Sequence, residues 1–290
     1  MAKITKAVIP CGGLGTRFLP ITKAVPKEIL PVIDTPVLGY IVQEAIESGI
    51  TDIMIVLGRG KESIKNYFTP NAELEEHLEK SGKKEYAELL RKISRGANIV
   101  FTTQEKPLGS GDAVLHAEKF TGKEAFALAW GDDLMYAPSP VMGQLCSAYE
   151  DLHSTILGVK YWAGDDIVKY GVADVGEQND RVYLCKGIVE KPPMDKIPSR
   201  LAALGRYILT ADVYDFIRET KVGHGGEIQL TDTLNAMCKA QKVYAYDFIG
   251  TRYDMGDKFG SVQAIVEYAL RSKEYGEKTK EYIKDLAKTL

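Results

Sequence analysis

Residues 7–31 decide how this chain folds, and they read AVIPCGGLGTRFLPITKAVPKEILP. The apolar run at 7–9 predicts a short buried strand. It breaks at Cys11 into a glycine-rich segment, which continues through Thr16 and Arg17 into several prolines. Glycines directly after a strand permit tight turns and a close approach of the backbone to a ligand. The stretch therefore predicts a strand whose carboxyl end opens into an ordered loop.

The segments after this loop alternate between helical and strand patterns. Thr35 and Pro36 predict the start of a helix, with the threonine hydroxyl as its cap and the proline as its first residue. Apolar residues at helical spacing continue this helix to Gly49, and residues 52–57 predict a second strand. A strand–helix–strand order favours a parallel sheet with right-handed crossovers.

The remaining pattern extends this α/β order and then changes. Up to residue 161 it predicts helices from 61, at 112–119 and at 140–151, strands at 98–103, 125–130 and 154–161, and an exposed charged helical insertion at 71–95. Beyond it, strands at 170–175 and 181–190 around a turn at 176–180 predict a hairpin-rich region, followed by helices at 210–219, 229–240, 257–273 and 275–288. We therefore predict an α/β protein with a Rossmann-like mixed, mostly parallel central sheet flanked by helices, an additional small β region and C-terminal helices.

The composition restricts the class of ligand. The 290 residues carry 37 basic and 40 acidic side chains, which gives a formal net charge of −3. There is no basic surplus that would indicate general nucleic-acid binding. Any phosphate chemistry must depend on a few focused cations, and this favours a small anionic ligand.

The cysteines and the N-terminal sequence bear on the compartment. The four cysteines are scattered without a C-x-x-C pair, a pattern that fits a reducing compartment. The first residues are interrupted too soon for a signal peptide, and no apolar run approaches the roughly 20 residues that cross a bilayer. We predict a cytoplasmic protein that binds neither membranes nor nucleic acid.

The loop at 12–31 carries the cations that a phosphate ligand requires. Arg17 offers a planar fork to phosphate oxygens, whereas Lys23 and Lys27 act as compact point charges. Glycines at a strand end also fit a simple tight turn. A dinucleotide fingerprint would run directly into a helix, and a P-loop would end in Gly-Lys-Ser/Thr, and neither pattern is found here.

Acidic residues at two later positions are candidate metal ligands. Asp132 follows an apolar strand, and ligands of open α/β sheets lie beyond the carboxyl ends of strands. Carboxylate oxygens at such a point suit Mg²⁺. Asp254 is a candidate second ligand. Taken alone, the two residues also fit a turn and a region before a helix, where Asp257 is predicted to cap the tail helix.

Glu190 and Lys191 end another predicted strand. The glutamate can accept hydrogen bonds from sugar hydroxyls, and the lysine can neutralise a sugar phosphate. An exposed ion pair before a proline turn explains the same residues when they are taken alone. The histidines stand at no metal-ligand spacing and are predicted to be structural or surface residues: His77, His116, His153 and His224.

Together these motifs resemble the sugar nucleotidyltransferase family, and within it the bacterial UTP–glucose-1-phosphate uridylyltransferases. The resemblance covers essentially the whole chain. It rests on GLGTRFLP at 13–20, TKAVPKEILP at 22–31, Tyr170-Gly171, VEKP at 189–192, LGRY at 204–207 and GEIQLTD at 226–232. It implies transfer of UMP from UTP to α-D-glucose 1-phosphate, Mg²⁺ as cofactor, and a homo-oligomer, either dimer or tetramer.

The resemblance also implies a role for individual residues. Arg17, Lys27 and Lys191 would be catalytic, and Asp132 and Asp254 would bind the metal. The nucleotide would lie against Cys11, Gly12, Gly13, Gly15, Gln104 and Gly109, with Gln104 reading the uracil edge. The sugar would contact Gly171, Glu190 and Lys191. Residues 1–256 would form one catalytic domain, with a nucleotide-binding part to about 135 and a sugar-binding part from about 136. Residues 257–290 would form a helical tail, a possible oligomerisation element.

Three positions differ from the usual family pattern. Cys11-Gly12 replaces an Ala-Ala pair, Asp112 replaces a histidine, and Arg200 replaces an asparagine. Cys11-Gly12 alters the wall around the base, Asp112 leaves the base or ribose preference open, and Arg200 leaves the identity of the sugar open. Two other classes remain, a non-catalytic nucleotide-sugar-binding paralogue and a dinucleotide-dependent oxidoreductase. The proline-rich loop after Gly15 speaks against the oxidoreductase.

Overall fold

The strand that precedes the glycine-rich loop lies inside a large mixed sheet. The computed structural model describes residues 3–223 and 226–290, so Met1, Ala2, His224 and Gly225 lie outside it. Over these residues the strands are β1 (Lys6–Cys11), β2 (Pro31–Val32), β3 (Thr35–Pro36), β4 (Asp52–Gly58), β5 (Asn98–Gln104), β6 (Phe126–Ala129), β7 (Asp133–Tyr136), β8 (Thr155–Tyr161), β9 (Gly171–Asn179), β10 (Val182–Glu190), β11 (Leu201–Leu209), β12 (Val243–Asp247) and β13 (Thr251–Asp254).

Within the described residues nine of these strands form one sheet, in the order β5-β4-β1-β6-β11-β8-β12-β10-β9. The first four strands are parallel, whereas β11 pairs antiparallel with β6, β8 and β9. Two short additional sheets pair β7 with β13 and β2 with β3. The predicted α/β class is confirmed. The parallel half also brings the carboxyl ends of β1, β5 and β6 to the same edge.

Helices cover this sheet and bury its apolar faces. In the described chain they are α1 (Val37–Glu47), α2 (Glu62–Phe68), α3 (Ala72–Lys80), α4 (Lys84–Arg95), α5 (Ser110–Leu115), α6 (Glu118–Thr121), α7 (Val141–Leu152), α8 (Val213–Glu219), α9 (Leu230–Ala240), α10 (Lys258–Arg271) and α11 (Gly276–Ala287). Two clusters of buried side chains form the core, one with α1 and α7 and the other with α8 and α9. No helix of residues 3–223 and 226–290 is both long and apolar enough to span a membrane.

Three predicted element boundaries are wrong. Pro36 precedes the first turn of α1 as its N-cap, and the Thr35 hydroxyl donates to Asp34 rather than capping the helix. The helix predicted at 112–119 is two short helices, α5 and α6. The turn predicted at 176–180 is mostly strand, because β9 continues to Asn179 and the chain reverses at Asp180, which has a φ of 52°.

Six of the described strands were missed, namely β2, β3, β7, β11, β12 and β13, and one cap is confirmed. β11 was not predicted, although it lies in the middle of the sheet and every one of its nine residues is buried. Asp257 was predicted to cap the tail helix, and its carboxylate accepts hydrogen bonds from the backbone N–H groups of Phe259 and Gly260. This helix cap could therefore be predicted from the local sequence alone.

Candidate active site

The glycine-rich loop after β1 is held by hydrogen bonds within itself. It contains three short 3₁₀ turns, at Thr16–Phe18, Ile21–Lys23 and Lys27–Ile29. Gly15 has a φ of 66°, a left-handed conformation that suits glycine, and its carbonyl accepts a 2.8 Å hydrogen bond from the Thr22 hydroxyl. The loop is therefore an ordered irregular segment, as predicted, and not the start of a helix.

Lys27 folds back from this loop to its beginning. Its Nζ lies 3.2 Å from the point that a Cβ on Gly13 would occupy, and it forms an ion pair with Asp132. Burial opposes the charge on Lys27, but the Asp132 carboxylate outweighs burial and raises the pKa of Lys27. Burial likewise opposes ionisation of Asp132, and Lys27 reverses this effect and lowers its pKa. The ion pair places two opposite charges where the loop meets the sheet.

A second ion pair anchors the middle of the loop. Both carboxylate oxygens of Glu28 accept hydrogen bonds from Lys61 Nζ, at 2.7 and 2.9 Å, and both side chains are buried. Burial raises the pKa of Glu28, and Lys61 opposes that rise. Glu28 lies in the motif that identifies the loop, but no partner was predicted for it from the sequence. Its pairing with the start of α2 fixes the residue next to Lys27.

The amide of Gln104 is held at the end of β5. Its Nε2 donates to the carbonyl of Gly109 at 3.1 Å and to Asp112 Oδ2 at 2.7 Å. Its Oε1 lies 2.9 Å from the point that a Cβ on Gly12 would occupy. Asp112 therefore makes direct contact with the residue predicted to read the base.

The glycine turn beside Gln104 packs against the GEIQLTD motif. Gly109 has a φ of 112°, and a Cβ there would come within 2.4 Å of the Ile228 carbonyl oxygen. The backbone N–H of Ile228 donates to the carbonyl of Leu108 at 2.8 Å, and the Ser110 hydroxyl donates to Gln229 Oε1 at 3.1 Å. The close approach explains the glycine at this position and makes the motif a second wall of the site.

A cavity of about 470 Å³ lies between the loop and the strand ends. Among its lining residues are seven predicted site residues: Gly12, Gly13, Gly15, Lys27, Gln104, Gly109 and Asp132. Trp130, Glu227 and Gln229 also line it, although no role was predicted for them from the sequence. A larger cavity of about 930 Å³ opens between α7 and the β9–β10 hairpin, and within the described chain its lining includes none of the predicted site residues.

The two predicted metal ligands come together around Gly256. Asp132 Oδ2 and Asp254 Oδ1 each lie 3.1 Å from the point that a Cβ on Gly256 would occupy, and Arg17 Nη1 lies 3.6 Å from it. Arg17 also donates to the Gly256 carbonyl at 3.2 Å. No cluster of three or more His, Cys, Asp or Glu side chains in residues 3–223 and 226–290 is arranged to hold a metal.

A buried cation stands behind these carboxylates. Arg252 forms an ion pair with Asp133 and lies 3.3 Å from Asp254 Oδ2, and the ring of Tyr170 covers its guanidinium at 4.7 Å. The Tyr170 hydroxyl donates to Asp254 at 3.3 Å. This role of Asp133 and Arg252 was not predicted from the sequence. Their positions in the sequence could have indicated this role, since each lies within two residues of a predicted metal ligand.

The predicted sugar residues meet at the end of the β9–β10 pair. Glu190 is opposite Gly171 in the register, and its Oε2 accepts a 2.7 Å hydrogen bond from the Thr231 hydroxyl. Lys191 Nζ lies 3.2 Å from Glu190 Oε1, and its own side chain is 59% exposed. The backbone N–H of Lys191 donates to the Tyr170 carbonyl, which connects this end with Asp254. Thr231, which holds Glu190, was quoted in a motif but given no role.

The other residues singled out lie around the site or away from it. Cys11 is 1% exposed beneath the loop, and burial raises the pKa of its thiol. The Arg200 guanidinium donates to the carbonyls of Ala163 and Gly164. His116 lies 3.5 Å from Asp112, and His224 is outside the described residues.

Several known proteins are similar to this chain over most of its length. The model of the nucleotidyl transferase family matches residues 6–271. A UTP–glucose-1-phosphate uridylyltransferase of Bacillus subtilis is 46% identical over 274 residues, which cover 94% of each chain. A UTP-bound UGPase from Acinetobacter baumannii superposes with a TM-score of 0.90 at 35% identity, covering 98% of this chain and 99% of that one. A UDP-glucose pyrophosphorylase complexed with UDP-glucose has a TM-score of 0.84 at 38% identity, covering 93% and 100%. The resemblance inferred from the motifs is confirmed.

Proposed function

The chain belongs to the nucleotidyl transferase family, and we propose that it transfers UMP from UTP to α-D-glucose 1-phosphate, giving UDP-glucose and pyrophosphate. One observation carries this proposal beyond family membership. Lys27 from the glycine-rich loop and Asp254, whose carboxylate the Tyr170 hydroxyl contacts, both lie close to Asp132, which lines the 470 Å³ cavity. The two substrates would therefore meet at Asp132.

The nucleotide would occupy the 470 Å³ cavity. The backbone of Gly12, Gly13 and Gly15, above the buried Cys11, would approach the base and the phosphates closely. Gln104 would contact the uracil edge, with Gly109 beside it. Arg17 and Lys27 would bind the β- and γ-phosphates, because a planar fork and a compact charge both suit phosphate oxygens.

The sugar phosphate would bind at the β9–β10 end. Glu190, oriented by Thr231, would accept hydrogen bonds from the hexose hydroxyls, and the backbone of Gly171 would contact the same ring. Lys191 is largely exposed and pairs with Glu190, so its ammonium is available to a phosphate. Its role would be to hold the attacking phosphate.

The residues around Gly256 fit a magnesium ion. Asp132 and Asp254 supply hard carboxylate oxygens, and Mg²⁺ commonly binds through one or two carboxylates with the remaining ligands from water and substrate phosphates. When bound there, the ion would neutralise charge on the reacting phosphate oxygens. Arg252, buried behind the carboxylates, would keep Asp254 and Asp133 in place.

The reaction needs positioning and charge stabilisation. A phosphate oxygen of glucose 1-phosphate is already ionised, so it attacks the α-phosphorus of UTP without a protein base or nucleophile. The bond from the α-phosphorus to the bridging oxygen breaks in line, and the charge that develops on pyrophosphate falls to Arg17 and Lys27. Removing one such cation is expected to lower the rate by about 10²–10³-fold.

The broader properties follow from the same residues. We propose that residues 1–256 act as one catalytic domain, with the base read before about residue 135 and the sugar bound after it. We propose that 257–290 mediate assembly of identical chains into a dimer or tetramer. Scattered cysteines and a nucleotide substrate support a cytoplasmic location.

A substrate panel tests the proposed function. Purified protein is assayed for pyrophosphate release with UTP, dTTP, CTP or ATP, each with glucose, galactose or mannose 1-phosphate, with and without MgCl₂. We expect the highest kcat/KM for UTP with glucose 1-phosphate, and turnover only with the metal. Preference for dTTP or another hexose would replace the proposed substrates, and no turnover with any pair would refute the enzyme function.

A further inference from the structure

Two departures from the family pattern contact the same side chain. Gly12 and Asp112 lie about a hundred residues apart in sequence, yet each meets an opposite end of the Gln104 amide. Asp112 Oδ2 accepts from Nε2, and Gly12 leaves room for Oε1. The unusual glycine and the unusual aspartate therefore form one arrangement with Gln104.

This arrangement permits a single orientation of the amide. The carbonyl of Gly109 and the carboxylate of Asp112 can only accept hydrogen bonds, so both require the NH₂ group of Gln104. A rotation of the amide by 180° would set Oε1 against both acceptors and lose both hydrogen bonds. Gln104 is 5% exposed, so water offers little compensation. Its Oε1 is thereby directed toward Gly12.

Gly12 and Gln104 both line the 470 Å³ cavity in which the nucleotide is proposed to lie. An oxygen fixed there can only accept a hydrogen bond. Uracil and thymine present an N3–H donor on their pairing edge, whereas cytosine presents an unprotonated N3, which is an acceptor. Two acceptors facing each other leave both without a partner, and sites built in this way reject the wrong analogue strongly.

We propose that Asp112, together with the carbonyl of Gly109, fixes which end of the Gln104 amide faces the base, so that the site selects a pyrimidine with an N3–H donor. Asp112 is a positioning residue, since it acts through Gln104 and not on the base. The inference rests on the proposed function. It accounts for a preference for uracil over cytosine and leaves uracil and thymine equivalent at this contact.

The test compares two substitutions of Asp112 by the ratio of kcat/KM for UTP to that for CTP, at saturating glucose 1-phosphate. Asp112→Ala removes the acceptor and is expected to lower the UTP/CTP ratio at least about tenfold, as for loss of a hydrogen bond to a charged group. dTTP is expected to follow UTP, because its N3–H edge is the same. Asp112→Asn can turn its carbonyl toward Gln104, so it is expected to keep the ratio within about threefold. The KM for glucose 1-phosphate is expected to stay unchanged in both.

Controls separate this role from a general structural one. Glu105→Ala removes an exposed carboxylate next to Gln104 in sequence and is expected to leave the ratio unchanged. An unchanged UTP/CTP ratio in folded Asp112→Ala would overturn the proposal, and so would an equal loss in Asp112→Asn. If Asp112→Ala fails to fold, Asp112→Ser takes its place, because a hydroxyl both donates and accepts, so that only the Gly109 carbonyl still favours one orientation of the amide.

The wild-type assay distinguishes failure of this inference from failure of the proposed function. A wild-type protein without UTP turnover would refute the proposed function itself. UTP turnover with an unchanged ratio in the Asp112 variants would refute the role of Asp112 alone.

Discussion

Replacing Lys191 tests binding of the sugar phosphate separately from binding of the nucleotide. Its side chain is exposed and contacts Glu190, at the sugar end of the site. Lys191→Ala is expected to lower kcat/KM for glucose 1-phosphate by about 10²–10³-fold, because the attacking phosphate loses its counter-charge. Steady-state kinetics with each substrate varied in turn measure the change.

Lys196→Ala is the matched control for this substitution. Lys196 is an exposed lysine five residues further along the chain, in a short turn. Its loss is expected to leave kcat/KM for glucose 1-phosphate and kcat/KM for UTP unchanged. UTP binding, measured by calorimetry, is expected to survive in both variants. Near-normal turnover of Lys191→Ala would contradict the proposed role.

At the level of residues, the sequence identified candidate site residues at strand ends, but not the ion-pair partners that hold the site in place. The roles of Asp132 and Gln104 could be predicted because both residues follow apolar strands within recognisable motifs. Arg252 and Asp133 are 119 positions apart, and Lys61 and Glu28 are 33 apart. Such pairings depend on which strands become neighbours, and no local spacing encodes them.

The helix cap at Asp257 predicts a pH-dependent contribution to stability. Hydrogen bonds from the backbone N–H groups of Gly260 and Phe259 lower the pKa of this carboxyl below its usual value of 3.8. Because the pKa is lower in the folded state, the stabilisation is complete above about pH 4 and is lost as the pH falls through the folded pKa. Asp257→Ala is expected to lower the free energy of unfolding by about 1 kcal/mol at pH 7.

Asp257→Asn is the informative partner of that variant. Asparagine caps helices about as well as aspartate but does not titrate in this range. Urea unfolding at several pH values is expected to show wild type losing stability relative to Asp257→Asn below about pH 4. A difference that does not depend on pH would show that the carboxylate charge does not contribute.

A buried ion pair connects four elements near the site. Arg206 on β11 is fully buried, donates to Glu44 on α1 at 2.7 Å and to the Asp133 carbonyl at 2.9 Å, and Glu44 also accepts from the N–H of Met142 on α7. Glu44→Ala leaves the Arg206 charge buried without its partner. The free energy of unfolding is expected to fall by about 3–5 kcal/mol.

Glu47→Ala supplies the comparison on the same helix. Glu47 is exposed at the end of α1, and its loss is expected to change the stability by about 0.5 kcal/mol or less. Urea unfolding followed by circular dichroism measures both variants. Equal midpoints for the two variants would contradict the role assigned to the Arg206 pair.

At the level of elements, the half of the fold with alternating strands and helices was predictable. The strand expected at 98–103 is Asn98–Gln104, and the helix expected at 140–151 is Val141–Leu152. β11 was not predicted because a strand buried on both faces shows no alternation of polar and apolar residues. Only its pairing with β6 and β8, distant in sequence, defines it as a strand.

The outer surface of the tail bears on assembly of the whole molecule. α10 buries Gly260 and Ala264 against the core but exposes Phe259, Val262 and Val266 at helical spacing. Exposed apolar stripes of this kind mark contact surfaces. Wild-type protein is expected to be a dimer or tetramer, and the double variant Val262→Asp, Val266→Asp is expected to be a monomer.

Light scattering after size-exclusion chromatography measures the assembly. Gln263→Asp adds one charge at an exposed neighbouring position on the same helix and is expected to leave the oligomer intact. A wild-type protein with the mass of a single chain would refute the assembly through α10. Dissociation by Gln263→Asp would show that the effect is not specific to the apolar stripe.

The order of strands in the large sheet has a consequence for how such a protein can change over generations. Gln104 ends β5 and Gly171 begins β9, and the shortest chain of pairings between them passes through β4, β1, β6 and β11. At about 4.8 Å for each pairing the two strands are roughly 24 Å apart. Substitutions that distant usually act additively. Nucleobase preference and sugar preference can thus be inherited and altered as separate traits, while the phosphate-binding residues between them stay the same.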